Sequence, residues 1–356
     1  MNLTELGWNP FFQHHFEPLK VQDLTPARVV RQDRHSYVVQ FDGAACPAEI
    51  SGKLHHDAEP DGAFPAVGDW VAVKRAPGED KATIHAVLPR KSAFSRKAAG
   101  ARTQEQVVAA NIDTVFLVSG LDGDFNPSRI ERYLTVAWNS GATPVIVLNK
   151  ADLCADVEAR IGEVEAVAFG VPVLAVSATA HDGLDALRPY LAPGMTAAFL
   201  GSSGVGKSTI INALLGHERQ EVGGVREDDS RGRHTTTHRE LIVLPGGGVV
   251  VDTPGMRELQ LWADDDGLKG AFSDIEELAA ECRFRDCAHG SEPGCAVRAA
   301  IESGRLDARR YESYLKLKRE LRHAASRQDQ KLRLAEKAKW KKIAVTVRRI
   351  TRERGR

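Results

Sequence analysis

The sequence predicts a multidomain protein with a small β-barrel, then an α/β domain built on a parallel sheet, then a mostly helical domain. Short strand-like runs separated by turns fill residues 26–89. From about residue 115, continuous apolar runs alternate with helical segments, the pattern of a parallel sheet covered on both faces. Cysteine and histidine cluster between residues 282 and 295, ahead of a helical pattern. We expect domains over 1–95, 96–262 and 263–356.

Composition and charge exclude several classes of protein. Neither an apolar run long enough to cross a bilayer nor a signal pattern is present, so a cytoplasmic protein without a membrane partner is expected. Three of the five cysteines lie close together, which argues against a disulfide framework. The net charge of zero hides an excess of eleven positive charges over residues 312–356. Such a block is either a solvated helix or a polyanion-binding arm.

The N-terminal part is expected to form an OB-fold barrel. Residues 1–20 are aromatic-rich and interpreted as a docking extension whose role the sequence does not reveal. Four or five short strands within about seventy residues suggest a small barrel. Whether this barrel contacts RNA stays open, because it has few basic residues and little aromatic interleaving. The basic stretch 90–102 is interpreted as a solvated connector, in preference to a contact with RNA. The clearest strands are 27–30, 37–41, 70–74 and 83–87.

The α/β domain contains a phosphate-binding loop. An apolar run over 196–200 is followed by G-x-x-x-x-G-K-S and a helical pattern that Gly216 ends. The glycines let backbone N–H groups surround a polyanion, and the helix N-terminus adds partial positive charge. Lys207 would reach the β- and γ-phosphates, and Ser208 would bind Mg²⁺. The nucleotide-binding loop comprises Gly201, Ser202, Ser203, Gly204, Val205, Gly206, Lys207, Ser208 and Thr209.

Two earlier strands of this domain end in residues suited to guanine. The run 144–148 leads into N-K-x-D, made by Asn149, Lys150 and Asp152. A carboxylate only accepts hydrogen bonds, so Asp152 can take two from the N1–H and N2–H₂ edge of guanine, whereas adenine has no such donor pair. Asn149 would tie this loop to the phosphate loop, and the Lys150 stem would cover the base. The next strand ends in Ser177 and Ala178, whose backbone would contact guanine O6.

The segment after the phosphate loop carries the expected magnesium and γ-phosphate contacts. Residues 216–238 form a polar loop, in which Thr235, Thr236 or Thr237 would complete the magnesium shell; we choose Thr236. Strands at 241–244 and 249–251 then lead to D-x-x-G. Asp252 would hold Mg²⁺ through water, and the Gly255 N–H would bond the γ-phosphate.

The order of these motifs is unusual. N-K-x-D precedes the phosphate loop by about fifty residues, the reverse of most guanine-nucleotide switches. A circularly permuted chain can keep the sheet intact, because domain termini usually lie close together. The chain following Gly255 then runs directly into the C-terminal segment. We therefore hypothesise that γ-phosphate-dependent motion is passed to that segment.

The C-terminal part is expected to bind one structural zinc ion. Three thiolates and one imidazole match a closed tetrahedral shell, which leaves no position for a catalytic water. Buried thiols without a metal are the alternative. Beyond residue 301 the pattern is helical, and the basic excess there favours salt-dependent contacts to nucleic acid over a solvated helix. The expected ligands are Cys282, Cys287, His289 and Cys295.

Together these motifs resemble the circularly permuted, small-ribosomal-subunit-dependent GTPases of the RsgA/YjeQ type. The resemblance covers nearly the whole chain and rests on residues 149–152, 201–209, 232–237, 252–255 and the four metal ligands. It implies an OB-fold, a permuted P-loop GTPase domain and a zinc domain. It also implies GTP hydrolysis with Mg²⁺, stimulated by the small ribosomal subunit, and a role late in the maturation of that subunit. The implied partners are the subunit, its rRNA and GTP or GDP, and we expect a monomer.

One position departs from the usual GTPase pattern. Met256 stands where many GTPases have a glutamine that orients water, so unassisted turnover should be slow. The resemblance implies that His234 orients the water instead, which makes it the expected catalytic residue. Two alternatives remain: an RNA-binding assembly factor that uses GTP as a ligand switch, and a permuted GTPase that serves a non-ribosomal partner.

Overall fold

The computed structural model describes residues 2–33, 36–58, 64–75, 78–97, 105–217, 239–252, 265–290 and 292–322. Eleven strands form one hydrogen-bonded sheet that curls into a barrel at its N-terminal end. Helices cover the flatter part of the sheet, and a further helical unit packs beside it. Within the described residues, no helix has the length and apolar character that a membrane crossing requires.

The N-terminal barrel closes on itself. Its strands are paired in the order β1-β2-β3-β5-β4, and β4 returns to β1. The β3–β5 pair is parallel and the other pairs are antiparallel. The predicted OB-fold barrel is confirmed. The elements are β1 (Thr25–Gln32), β2 (Tyr37–Gln40), β3 (Ala45–Ile50), α2 (Gly52–Ala58), β4 (Trp70–Lys74) and β5 (Ala82–Val87), preceded by α1 (Pro10–Phe16) and a 3₁₀ turn (Glu17–Gln22).

The N-terminal extension belongs to the core and is not a free docking segment. Asn9 caps α1 by accepting a hydrogen bond from the Phe11 N–H at 3.1 Å. The Trp8 ring lies edge-on to the Trp70 ring of the barrel, with centroids 4.8 Å apart. Leu6, Phe12 and Phe16 are buried. Burial of these large apolar groups gives residues 2–16 a structural role that the sequence did not reveal.

The stretch interpreted as a connector is largely structured. Strand β6 (Ala93–Lys97) pairs with β7 (Glu105–Ala110), and the Phe94 side chain is buried. The Arg90 guanidinium lies 2.7 Å from the fully buried Asp69 carboxylate. The interpretation as a solvated connector is therefore wrong for residues 90–97. The expected boundary between residues 95 and 96 falls inside β6.

The α/β domain adds six strands in the order β10-β9-β8-β11-β13-β12. All are parallel except β12, which pairs antiparallel with β13 and, at its other edge, with β1 of the barrel. The elements are β8 (Thr114–Gly120), α3 (Pro127–Ser140), β9 (Thr143–Asn149), a 3₁₀ turn (Ala151–Leu153), α4 (Val157–Glu165), β10 (Val173–Ala175), a 3₁₀ helix (Leu184–Leu191), β11 (Thr196–Leu200), α5 (Lys207–Leu215), β12 (Arg239–Val243) and β13 (Val249–Asp252).

The C-terminal domain is mostly helical where it is described, with a loop between residues 280 and 296. Phe272, Ile275 and Val297 form its core together with apolar residues of the last helix. The domain packs against α3: the Gly267 N–H donates to Asn139 Oδ1 at 3.0 Å, and a Cβ at Gly270 would lie 3.2 Å from the Trp138 ring. The helices are α6 (Asp265–Ala271), α7 (Ser273–Ala280), α8 (Ala296–Glu302) and α9 (308–322).

Candidate functional site

The predicted nucleotide-binding motifs meet at one edge of the sheet. Strands β8, β9, β10, β11 and β13 run parallel, so their carboxyl ends lie side by side. Ligands of open α/β sheets bind outside this edge. N-K-x-D follows β9, Ser177 and Ala178 follow β10, the phosphate loop follows β11, and Asp252 ends β13. The permuted order therefore leaves the motifs together in space.

The phosphate loop connects β11 to α5 and has its lysine already folded over it. The Lys207 side chain is buried, and its Nζ donates to the carbonyls of Gly201 at 2.7 Å and Ser202 at 2.5 Å. Gly206 has φ +96°, and a Cβ there would collide with the Asn149 amide nitrogen. Glycine is therefore required at the point where the two loops approach. The first turn of α5 presents its N–H groups to the same space.

Asn149 holds three parts of the site together. Its Nδ2 donates to the Val205 carbonyl at 2.8 Å, and its Oδ1 accepts from the Ala178 N–H at 3.1 Å. The side chain is 2% exposed, so both hydrogen bonds are shielded from water. One buried amide thus fixes the phosphate loop and the Ser177–Ala178 turn relative to the N-K-x-D loop.

The Asp152 carboxylate is oriented by a neighbouring hydroxyl. Ser177 Oγ donates to Asp152 Oδ1 at 2.5 Å, and it also accepts from the Ala180 N–H at 3.2 Å. Asp152 itself is exposed, whereas Ser177 is 2% exposed. A buried donor therefore holds an accessible carboxylate at the strand edge, where it can accept hydrogen bonds from a base.

Lys150 has a partner that the sequence reasoning missed. Its Nζ lies 2.5 Å from Asp122 Oδ2, and its backbone adopts φ +66°. The hydrogen bond from Lys150 lowers the pKa of Asp122 despite partial burial, which works in the opposite direction. Asp122 follows β8, so a polar residue after a predicted strand was the available signal.

We expect Ser177→Ala to weaken guanine-nucleotide binding at least about tenfold. Losing a hydrogen bond to a charged group costs about 1.5–3 kcal/mol, and the Asp152 carboxylate would lose its fixed orientation. Titration of fluorescent GDP measures the change. The exposed Ser128, at the start of α3, supplies the control Ser128→Ala, which should bind GDP as the wild type does. Equal affinities for both variants would contradict the role of Ser177.

Several predicted site residues lie outside the described part of the chain. These are His234, Thr236, Gly255 and Met256. For Asp252 the structure describes the backbone position at the end of β13, and Ser208 lies in the first turn of α5. The expected magnesium shell is therefore described at Ser208 and at the Asp252 backbone alone.

The four predicted metal ligands converge in the C-terminal domain. Their candidate ligand atoms all lie within 4.8 Å of one another. His289 Nδ1 is 3.5 Å from the sulfurs of Cys282 and Cys295, which are themselves 3.9 Å apart. A tetrahedral ion with sulfur ligands at about 2.3 Å places sulfurs about 3.7 Å apart. The donor set and its spacing fit a bound metal ion.

Local structure explains how these ligands come together. Cys282 follows α7 and Cys295 caps α8, accepting from the Arg298 N–H at 3.4 Å. His289 has φ +58°, which turns the loop back toward Cys282. Burial lowers the pKa of His289, with Lys318 adding to the effect, and so favours the neutral imidazole that binds metal.

Removal of the metal should unfold the C-terminal domain. Four ligands gathered from a loop and two helix ends have little apolar core of their own, and metal binding supplies folding free energy to small domains of this kind. A chelator should lower the melting temperature and expose Cys282, Cys287 and Cys295 to a thiol reagent. Cys154, outside this cluster, is the internal control. Unchanged thiol reactivity after proven metal loss would contradict a structural ion.

Comparison with known proteins agrees with this arrangement. Residues 87–262 match the family described as RsgA GTPase. The chain is 50% identical to the small ribosomal subunit biogenesis GTPase RsgA of Opitutus terrae over 366 aligned residues, covering all of both chains. It is 45% identical to the protein of that name from Syntrophotalea carbinolica, covering 100% of this chain and 99% of the relative.

Solved structures show the same architecture. YjeQ from Thermotoga maritima is 29% identical, with a TM-score of 0.64 over 84% of this chain and 98% of the other. YloQ, described as a circularly permuted GTPase, is 24% identical, with a TM-score of 0.63 over 85% and 96%. The YloQ match bears on the fold alone. With relatives this similar over its full length, and with the motifs gathered at one sheet edge in permuted order, this chain belongs to the RsgA GTPase family.

Proposed function

We propose that this protein hydrolyses GTP, binds the small ribosomal subunit and acts in its late maturation, with turnover stimulated by the subunit. One observation carries the nucleotide assignment: the buried Asn149 amide joins the phosphate loop to the loop that bears Asp152. A polyphosphate and a guanine edge can then be bound at a fixed separation. The small ribosomal subunit is proposed as the partner because the relatives are named small ribosomal subunit biogenesis GTPases.

The roles of the site residues follow from their chemistry. The N–H groups of residues 201–209 would surround the phosphates, and Lys207 would exchange its loop carbonyls for β- and γ-phosphate oxygens. Asp152 would accept hydrogen bonds from the guanine edge, covered by the Lys150 stem. When bound, Mg²⁺ neutralises charge that develops on the phosphates. Its proposed ligands are Ser208, Thr236 and, through water, Asp252, and the Gly255 N–H would bond the γ-phosphate.

We propose that His234 orients the attacking water, as the resemblance to the RsgA/YjeQ GTPases implies. The thioether of Met256, at the position of the usual glutamine, cannot accept a strong hydrogen bond. His234→Ala should slow subunit-stimulated turnover about 10²-fold, within the usual range for a group that handles a proton or water. It should leave the affinity for GDP unchanged. Single-turnover hydrolysis with saturating subunits measures the rate. Wild-type turnover by His234→Ala would remove it from the mechanism.

We propose zinc as the metal of the C-terminal domain. Three thiolates and one imidazole are the ligands of structural zinc sites, and harder ions such as Mg²⁺ prefer oxygen. A complete set of four protein ligands favours a structural ion over a catalytic one. Metal analysis of protein purified without added zinc should find one zinc ion per chain.

The basic C-terminal stretch is the proposed contact with RNA. Subunit rRNA would be contacted by the basic C-terminal stretch, whose excess of positive charge is a property of the sequence. Such contacts weaken steeply with salt. We propose a cytoplasmic monomer, as expected for a factor that visits ribosomal subunits. The domain limits 1–95, 96–262 and 263–356 stay a prediction.

Co-sedimentation tests the choice of partner. The protein should pellet with small subunits in the presence of a non-hydrolysable GTP analogue and much less with GDP. Large subunits are the matched control of similar charge density, and no such nucleotide dependence is expected with them. Equal pelleting with both subunits would show that the protein binds RNA in general and is not specific for the small subunit.

Met256 favours a second candidate function, an RNA-binding assembly factor in which GTP acts as a ligand switch. In that case nucleotide-dependent subunit binding would persist while turnover stayed unstimulated. A permuted GTPase that serves a non-ribosomal partner is the remaining alternative. Co-sedimentation and stimulated turnover, measured together, distinguish the three.

A further inference from the structure

Helix α3 touches the phosphate loop with one of its faces. Arg129 and Tyr133, four residues apart, lie on the same side of the helix. Arg129 Nη1 donates to Ser202 Oγ at 2.8 Å, and the Tyr133 hydroxyl lies 3.4 Å from the same oxygen. Ser202 is the second residue of the phosphate loop. Two side chains of α3 therefore converge on one hydroxyl of that loop.

Arg129 also connects to the guanine side of the site. Its Nη1 lies 2.5 Å from Asp124 Oδ2, and this hydrogen bond raises the pKa of Arg129. The Asp124 N–H donates to Asp122 Oδ1 at 3.1 Å, and Asp122 pairs with Lys150. A continuous chain of polar contacts thus runs from Ser202 to the N-K-x-D loop. Within this chain of contacts, Arg129 is the residue that contacts Ser202.

The same helix is also fixed to the C-terminal domain. Arg132 Nη2 donates to both carboxylate oxygens of Glu320 in α9, at 2.9 and 2.7 Å. Glu131 is buried and lies 3.0 Å from Arg310 Nη1, also in α9. Near its C-terminal end, α3 meets α6 through Asn139, at Gly267. Its fourteen residues span about 21 Å, and the C-terminal domain contacts it from Glu131 to Asn139.

We propose that α3 is a rigid link that couples the phosphate loop to the C-terminal domain, with Arg129 as the positioning residue at Ser202. The loop and α9 contact neighbouring residues of one helix, so a shift of α9 moves the groups that hold Ser202. The coupling must be reciprocal: nucleotide binding favours one placement of the C-terminal domain, and a partner that fixes that domain changes nucleotide affinity.

This route is distinct from the one expected from the sequence. It does not depend on the chain after Asp252, because α3 precedes the phosphate loop in the permuted order. The proposal rests on the proposed function only in that the site binds guanine nucleotide. Wild-type affinity for fluorescent GDP checks that point first. Coupling through α3 is then decided separately by the variants below.

A charge exchange across α3 and α9 tests the coupling. Arg132→Glu and Glu320→Arg should each weaken binding of GDP and of a non-hydrolysable GTP analogue about fivefold or more, the lower end of typical couplings. The double variant, which re-forms the pair in reverse, should restore most of the affinity. The control is Arg160→Glu with Glu163→Arg in α4, a pair of similar exposure at 2.8 Å. Affinity there should not change.

Thermal unfolding of the same variants separates coupling from damage. If both single reversals lower the melting temperature but leave nucleotide affinity unchanged, or if the double variant does not recover affinity, the coupling is refuted.

The positioning role of Arg129 has its own test. Arg129→Ala should weaken binding of both GDP and the GTP analogue. Arg129→Lys should recover part of the lost affinity, because an ammonium can still donate to Ser202 Oγ. Adding Ser202→Ala to Arg129→Ala should cost nothing further, since contacting residues are non-additive. Fully additive losses would show that Arg129 does not act through Ser202.

Discussion

Asp152→Asn should exchange guanine specificity for xanthine specificity. The carboxylate accepts from the N1–H and N2–H₂ groups of guanine, whereas an asparagine amide presents a donor that faces the guanine amino group. Xanthine has a carbonyl in place of that amino group and can accept from the amide. A site built to hydrogen-bond one pattern rejects its mismatch by orders of magnitude, and we expect GDP affinity to fall at least about 10²-fold.

Direct titration of fluorescent GDP and XDP measures this exchange. Asp156 supplies the matched control: it is an exposed aspartate that caps α4, four residues away, by accepting from the Ala159 N–H at 2.9 Å. Asparagine caps helices as well as aspartate does, so Asp156→Asn should bind GDP normally. Retained GDP preference in Asp152→Asn would mean that the base is not bound at this edge.

Arg310→Ala should strongly destabilise the C-terminal domain. All five N–H donors of Arg310 are used: they bind Asp274, Glu131 and the carbonyls of Val167 and Ala271, at 2.6–3.1 Å. The guanidinium also lies 4.8 Å from the centre of the Phe272 ring. Removing one partner of a buried pair costs about 3–5 kcal/mol, because a buried charge is left without its partner.

The pH dependence of this variant identifies the cause. Burial already raises the pKa of Glu131, although Ser313 and Arg310 oppose the shift. Loss of the cation raises that pKa further, so the folded variant takes up a proton more readily than the unfolded chain. Its stability deficit should therefore shrink as the pH falls and grow as the pH rises. Melting temperatures of the wild type and the variant, measured as a function of pH, give this stability deficit. Arg309→Ala, at an exposed neighbour, should show neither effect, and a pH-independent deficit in Arg310→Ala would exclude Glu131 as the cause.

Local patterns predicted most of the fold because they depend on nearby residues. The parallel strands are continuous apolar runs, and in the structure α3 begins at Pro127 with Asn126 as its cap, residue types that favour a helix start. Strand β3 was not predicted, since Ala45–Ile50 contains Pro47 and few large apolar residues. Its identity depends on pairing with β2 and β5, which are distant in sequence.

The residues of the candidate site also differ in whether the local sequence could predict them. Asp152, Lys207 and the metal ligands were predictable because the chemistry needs those residue types at fixed spacings. Arg129 and Arg310 were not, because each acts through partners that only the folded chain brings near. Asp122 offered only the weak signal of a polar residue after a predicted strand. For a single arginine in a helix, the local sequence does not distinguish a buried side chain with several hydrogen-bond partners from an exposed, solvated one.

We propose that GTP hydrolysis at this site is switched on by the small ribosomal subunit. GTP turnover measured without partner, with small subunits, with large subunits and with free rRNA tests it most directly. Lys207→Ala serves as the inactive reference. We predict slow turnover alone and strong stimulation by small subunits only. No stimulation by small subunits, or equal stimulation by large subunits or free rRNA, would show that the small subunit does not activate this GTPase.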